Sequence, residues 1–246
     1  MQELNFSEEE INRLEIFNKG GYEGKILVYN KDLVIKRFEP YLKGFIDFDL
    51  KKYKLEEFHK KKLSDNILAI PKKLVNVNND FAGFMMKKYH AITINKIEEF
   101  SKLLEIYEKL FNNLEYLHQK NIIIGDIKYD NIIVENGNPV FVDVDSMGIN
   151  DLKQDHICNV PKGLATKIPG IHAKMDLNDY KKMDKMLLFA CFINSLTNER
   201  ATLTSKILNS KLNEESKELF YNYLINNDID YNFDIQGLIG KERGNM

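Results

Sequence analysis

The stretch Tyr116–Val134, YLHQKNIIIGDIKYDNIIV, decides how this chain is read. An apolar, strand-like run delivers Asp126 into a loop. Lys128 follows two residues later and Asn131 five residues later, where a new apolar strand begins. That strand, Asn131–Glu135, is joined to the next, Val140–Val144, by an Asn136-Gly137-Asn138 turn, and the second strand runs into Asp143-Val144-Asp145. A carboxylate, a cation, a carboxamide and further carboxylates therefore gather at strand ends. Acidic side chains in such places are costly to desolvate unless they bind a cation or carry out proton chemistry. Asp143 and Asn131 offer hard oxygen ligands, the kind that Mg²⁺ accepts alongside phosphate oxygens.

Upstream of this stretch the pattern is strand-rich. Lys25–Asn30 and Leu33–Phe38 flank an Asn30-Lys31-Asp32 turn, and Ile67–Val77 and Phe81–Tyr89 flank Asn78-Asn79-Asp80, both hairpin signals. Between the hairpins, Lys51–Leu63 is charged and free of proline and is expected to be helical. From Ile97 the period changes: Leu103, Tyr107, Leu110, Leu114 and Leu117 follow the spacing of an amphipathic helix. Lys182–Ser195 is apolar enough for a helix buried all round, and Glu214–Ile225 is expected to be a further helix. The expected class is α+β, with a small strand-rich part at 1–89 and a larger helical part at 90–246.

Composition excludes several function classes. The 246 residues carry 35 Lys+Arg against 37 Asp+Glu, a net charge of −2, which disfavours nucleic acid as the main partner. The longest apolar runs, such as Met186–Ile193, are too short to cross a bilayer, so no membrane is expected. The acidic start, Met1–Glu10, does not read as a signal peptide, and Cys158 and Cys191 lack metal-ligand spacing; a reducing cytoplasm is the expected location.

The deciding stretch resembles the protein kinase-like superfamily. Asp126-Ile127-Lys128-Tyr129-Asp130-Asn131 is similar to the catalytic loop D-[LI]-K-x-x-N, and Asp143 matches the aspartate of D-F-G. Leu117-His118 resembles the pair that ends the long helix of the large lobe. Gly20-Gly21-Tyr22-Glu23-Gly24 precedes the first hairpin as a glycine loop would, Leu33-Val34-Ile35-Lys36 resembles V-A-I-K, and Asp184 resembles the aspartate that opens the buried central helix. The form Asp143-Val144-Asp145-Ser146 is similar to a bacterial subgroup with D-x-D-S in place of D-F-G.

The resemblance implies a bilobal fold and an ATP- and Mg²⁺-dependent phosphotransferase. Gly20, Gly21 and Gly24 would cover the triphosphate, and Lys36 would pair with its α- and β-phosphates. Lys36 would be steadied by a helix glutamate, Glu56 or Glu57, with Glu56 preferred because Tyr53 and Leu63 then face inward. Ile26, Val34 and Ile133 would sandwich adenine, and Met86, Lys87 and Tyr89 would form the connector beside it. Asn131 and Asp143 would hold Mg²⁺, with Asp145 as the alternative ligand, Asp126 would take the acceptor proton, and Lys128 would neutralise the transferring phosphoryl group.

The departures from the family pattern decide between functions. Gly125 stands where most protein kinases have arginine, Lys19 occupies the first glycine position, no A-P-E is present, and no arginine lies between Ser146 and Met183. A phosphate on that last stretch would lack a bidentate partner. Lys128 favours a serine/threonine protein kinase acting on an unknown protein. Gly125-Asp126 favours a small-molecule phosphotransferase of the aminoglycoside- or choline-kinase kind, and the altered glycine loop favours a nucleotide-binding scaffold without activity.

Overall fold

The computed structural model describes residues 1–18, 23–154, 176–197, 202–225 and 235–244. Gly20, Gly21, Cys158 and the stretch 155–175 lie outside the described residues. The architecture is mixed α+β, with a strand-rich first part and helices later, compatible with two lobes.

The first sheet contains β1 (Glu3–Phe6), β2 (Ile16–Asn18), β3 (Gly24–Val28), β4 (Leu33–Phe38), β5 (Lys73–Val77) and β6 (Asp80–Lys87), in spatial order β1-β5-β6-β4-β3-β2. Only β1 and β5 run parallel; the other neighbours are antiparallel. Turn chemistry sets this register. The Asn30 side-chain oxygen accepts from the backbone N–H groups of Asp32 and Leu33, both at 2.9 Å, and so closes β3 onto β4. Between β5 and β6, Asn78 and Asn79 have φ of 52° and 70°, the paired positive φ that a tight hairpin requires and asparagine tolerates. At Gly83 a Cβ would lie 2.0 Å from the Lys36 carbonyl oxygen, so β4 and β6 can approach only over a glycine.

Strand alternation then sorts the side chains. Ile26 sits opposite Lys36 and Val34 opposite Met86, which puts these four residues on one face. The other face carries Leu27, Ile35, Val75, Val77 and Met85, covered by Ile11 of the short helix α1 (Glu8–Asn12), whose start is held by a Ser7–Glu10 capping box. The sequence reading missed β1, α1 and β2. It also began the strand that is β5 too early, at Ile67 instead of Lys73. Residues 67–69 instead pair with a later strand, with Ala69 N–H donating to Phe141 at 2.9 Å, and Pro71, which has no N–H to give, precedes β5.

Helix α2 (Phe48–Lys60) is N-capped by Asp47 and buries Lys51, Lys54, Leu55 and Phe58. Helix α3 (Phe100–Gln119) buries the expected apolar stripe from Leu103 to Leu117. Strands β7 (Ile92–Thr93), β9 (Ile132–Glu135) and β10 (Asn138–Phe141) form a sheet in the order β10-β9-β7, while β8 (Ile122–Ile123) pairs with β11 (Gly148–Ile149). The β9–β10 turn uses Asn136 and Gly137 at φ 51° and 74°. Helix α4 (Leu177–Ser195) is buried continuously from Met186 to Ile193, and α5 (Leu203–Leu208), α6 (Glu214–Ile225) and α7 (Ile235–Gly244) follow. One hydrophobic core runs from Phe38, Phe58 and Phe84 through α3 and α4 to Phe220 and Ile239. Among the described residues no helix is long and apolar enough to cross a membrane.

Candidate active site

Lys36 leaves β4 on the inner face of the first sheet and reaches the turn that follows β10. Its Nζ lies 2.5 Å from Asp143 Oδ1 and 2.6 Å from Asp145 Oδ1. The two aspartates are set apart by exposure: the Asp143 side chain is 32% exposed, that of Asp145 not at all. Asp143 has φ 73° and ψ 42°, a left-handed conformation that aspartate tolerates better than most residues. The Ser146 hydroxyl holds it there by donating to its carbonyl at 2.8 Å and its Oδ2 at 3.0 Å.

The other oxygen of Asp145 faces helix α2. Lys51 Nζ lies 3.2 Å from Asp145 Oδ2 and 3.0 Å from Glu23 Oε2, and its side chain is 2% exposed. Both lysine ammonium groups sit over the Phe38 ring, Lys36 at 5.8 Å and Lys51 at 5.4 Å from its centroid. Burial pushes the Asp145 carboxyl up, but Lys36 and Lys51 outweigh it and hold that group below the usual carboxylate range. Burial likewise acts to lower the Lys36 ammonium, and Asp145 and Asp143 together raise it above the ordinary lysine value.

This arrangement corrects the expected partner of Lys36. Its carboxylates are Asp143 and Asp145, and Glu56 is not among them. The turn of α2 that faces the sheet presents Lys51, Lys54, Leu55 and Phe58, while Tyr53, which was expected to face inward, is 50% exposed. Glu57 pairs instead with Lys60 at 2.6 Å and accepts from Asn150 at 3.4 Å.

The loop after β8 forms a second hydrogen-bonded group. Asp126 Oδ2 accepts from Lys128 Nζ at 2.5 Å and from Asn131 Nδ2 at 2.9 Å, and Asn131 Nδ2 also donates to the Asp126 carbonyl at 2.9 Å. The loop is fixed from beneath by the fully buried Asp184 of α4. Its Oδ1 accepts from Gly125 N–H and its Oδ2 from Ile124 N–H, both at 2.8 Å, and His118 Nε2 lies 3.1 Å from Oδ2. Asp184 lies about two turns into α4 rather than at its opening, since the helix begins at Leu177. Gly125 has φ 74°, and Asp126 N–H donates to the Ile124 carbonyl at 2.9 Å across it. That is a γ-turn of positive φ, where glycine avoids the strain any side chain would bring.

The remaining expected residues fall as follows. Val34 is buried, Ile26 is half-buried, and Met86 and Ile133 pack at the edge of the main core. Lys87 pairs with Glu135 of β9 at 2.5 Å, and its Nζ lies 4.8 Å from the centre of the Tyr89 ring. Tyr89 donates its hydroxyl to the Asp65 carbonyl at 2.9 Å. Gly24 has a structural reason of its own, because a Cβ there would lie 2.3 Å from the Arg37 carbonyl oxygen. Sequence reasoning missed Lys51 and Glu23. The signal for Lys51 was present: Lys51, Leu55 and Phe58 stand at helical i, i+4 and i+7 spacing, on the apolar stripe.

Comparison with known proteins gives one limited relationship. A stretch of 66 residues, 27% of this chain, is 32% identical to a probable serine/threonine-protein kinase MRK1 homolog of Encephalitozoon cuniculi (strain GB-M1). The aligned stretch spans 20% of that relative's length, and it supports a protein kinase-like relationship. No family model matches the chain.

Proposed function

We propose that the chain is an ATP- and Mg²⁺-dependent phosphotransferase that passes the γ-phosphoryl group to a hydroxyl, as a serine/threonine protein kinase does. The observation that carries this reading is the meeting of Lys36 with Asp143, 107 positions apart in sequence, at 2.5 Å. Phosphoryl transfer asks the protein mainly for positioning and charge stabilisation, and each side chain has a place in that scheme. Lys36 would bind phosphate oxygens. Asp126 would accept the acceptor's hydroxyl proton as the new O–P bond forms and the bond to the departing ADP oxygen breaks. Lys128, 46% exposed and paired with Asp126, would turn towards the transferring group.

The residues fit a magnesium ion that arrives with its nucleotide. Among the described residues no three His, Cys, Asp or Glu side chains cluster as a metal cage. Asp143 presents a partly exposed carboxylate and Asn131 a carboxamide oxygen, a small hard set that leaves most positions for phosphate and water. Bound there, Mg²⁺ would supply charge neutralisation on the phosphates.

A second reading, a small-molecule phosphotransferase, is favoured by Gly125, whose left-handed γ-turn would hold an arginine before Asp126 only under backbone strain. Transfer from labelled ATP to protein acceptors and to a panel of small alcohols separates the two. Asp126→Ala is expected to abolish transfer while the nucleotide-induced rise in melting temperature persists. A wild-type protein that gains no melting temperature with millimolar ATP and Mg²⁺ refutes both readings.

A further inference from the structure

We propose that Asp145 and Lys51 form a positioning pair for Lys36, taking the place of a helix glutamate; the proposal rests on the phosphotransferase reading above. Three features carry it. Asp145 is wholly buried and divides its two oxygens between the two lysines, at 2.6 and 3.2 Å. Lys51 also donates to Glu23, the residue directly before β3, at 3.0 Å. Of the α2 glutamates, Glu57 is committed to Lys60 and Asn150.

The charge on each member follows from that geometry. A carboxylate with no exposure stays ionised only beside cations, and Lys36 alone is shared with Asp143. Lys51 is the second cation. With it present, Asp145 can hold Lys36 without drawing its whole charge, and the site stays attractive to phosphate. Without it, two carboxylates bear on Lys36 and an incoming triphosphate meets uncompensated negative charge. The anchor of Lys36 thus comes from the same short segment as the candidate metal ligand, Asp143, and α2 takes part through a cation.

The test is a set of dissociation constants for Mg²⁺·ADP by titration calorimetry, on protein verified as folded by circular dichroism. Lys51→Met is expected to weaken binding tenfold or more, and Lys51→Arg, which keeps the charge, to stay within threefold of wild type. In the Asp145→Asn background Lys51→Met is expected to add less than threefold, because the two residues act as one unit. A role confined to stability would give neither the rescue by arginine nor the non-additivity. Should Lys51→Met fail to fold, Lys51→Gln, also uncharged but polar, takes its place with the same expected loss. Binding by the uncharged Lys51 variant within threefold of wild type, or full additivity with Asp145→Asn, overturns the proposal while leaving the phosphotransferase reading in place. A wild-type protein that binds no Mg²⁺·ADP overturns both.

Discussion

Asp143 and Asp145 both bind Lys36, yet exchanging each for asparagine should have opposite consequences. Asparagine keeps the size of the side chain and, at 143, tolerates the left-handed backbone. At 145 the carboxylate is fully buried and serves two buried lysines, so one of its oxygens would be replaced by an NH₂ facing an ammonium. Removing one partner from a buried ion pair costs about 3–5 kcal/mol. The lower end applies, since Lys36 keeps Asp143 and Lys51 keeps Glu23. At roughly 2–4 °C per kcal/mol for a chain of this size, about 3 kcal/mol lowers the melting temperature by roughly 6–12 °C. Asp143 is 32% exposed, solvent screens its attraction to Lys36, and Asp143→Asn is expected to cost no more than about 1 kcal/mol. Calorimetric melting without nucleotide measures both, and Mg²⁺-dependent nucleotide binding should show the reverse order of damage in the Asp143 variant. Equal melting shifts for the two variants, or a larger one for Asp143→Asn, would refute the division of the pair into a structural and a ligand-facing aspartate.

Two further outcomes follow from the buried charges. Asp184→Asn leaves one acceptor oxygen where Gly125 N–H, Ile124 N–H and His118 now converge, which should cost about 2 kcal/mol or more and lower turnover together with the melting temperature; a variant with wild-type melting and turnover would refute its role under the loop. The Asp145 carboxyl is held below its unfolded value, so its contribution is present above about pH 4 and is lost as pH falls through the folded value, whereas the raised Lys36 contributes below about pH 10.5 and fades as pH rises through its folded value. The gap in melting temperature between wild type and Asp145→Asn should therefore narrow as pH is lowered below about 4, and a gap that widens would contradict the sign.

The parts of the site legible in sequence were those set by local spacing. Asp126, Lys128 and Asn131 lie within one loop, and hydrogen bonds no longer than 2.9 Å link all three. The long helix that carries His118 and the apolar strands around Asp143 follow from hydrophobic patterning. The charge circuit was less legible, because it depends on the rotation of α2 about its axis. Four lysines in a helix look like a solvated face, and only the coincidence of Lys51 with the Leu55–Phe58 stripe marks that one as buried. Strands β1 and β2 escaped for a different reason: they are short edge strands, half-buried or exposed, and carry no strong apolar alternation.

Gly125 and Asp145 each stand at a position the packing demands. At 125 the chain turns through φ 74° to bring two successive N–H groups onto Asp184, a path that a larger residue could follow only under strain. At 145 a glycine would leave Lys36 and Lys51, 9% and 2% exposed, with one buried carboxylate fewer. A carboxylate on helix α2 would then be needed in place of Lys51. Asp145 on the loop and Lys51 on the helix are thus complementary charges of one buried cluster. Loss of either charge leaves the other with a remaining partner, Glu23 for Lys51 or Lys36 for Asp145, and the Lys51 and Asp145 double-variant measurement reads the coupling between them.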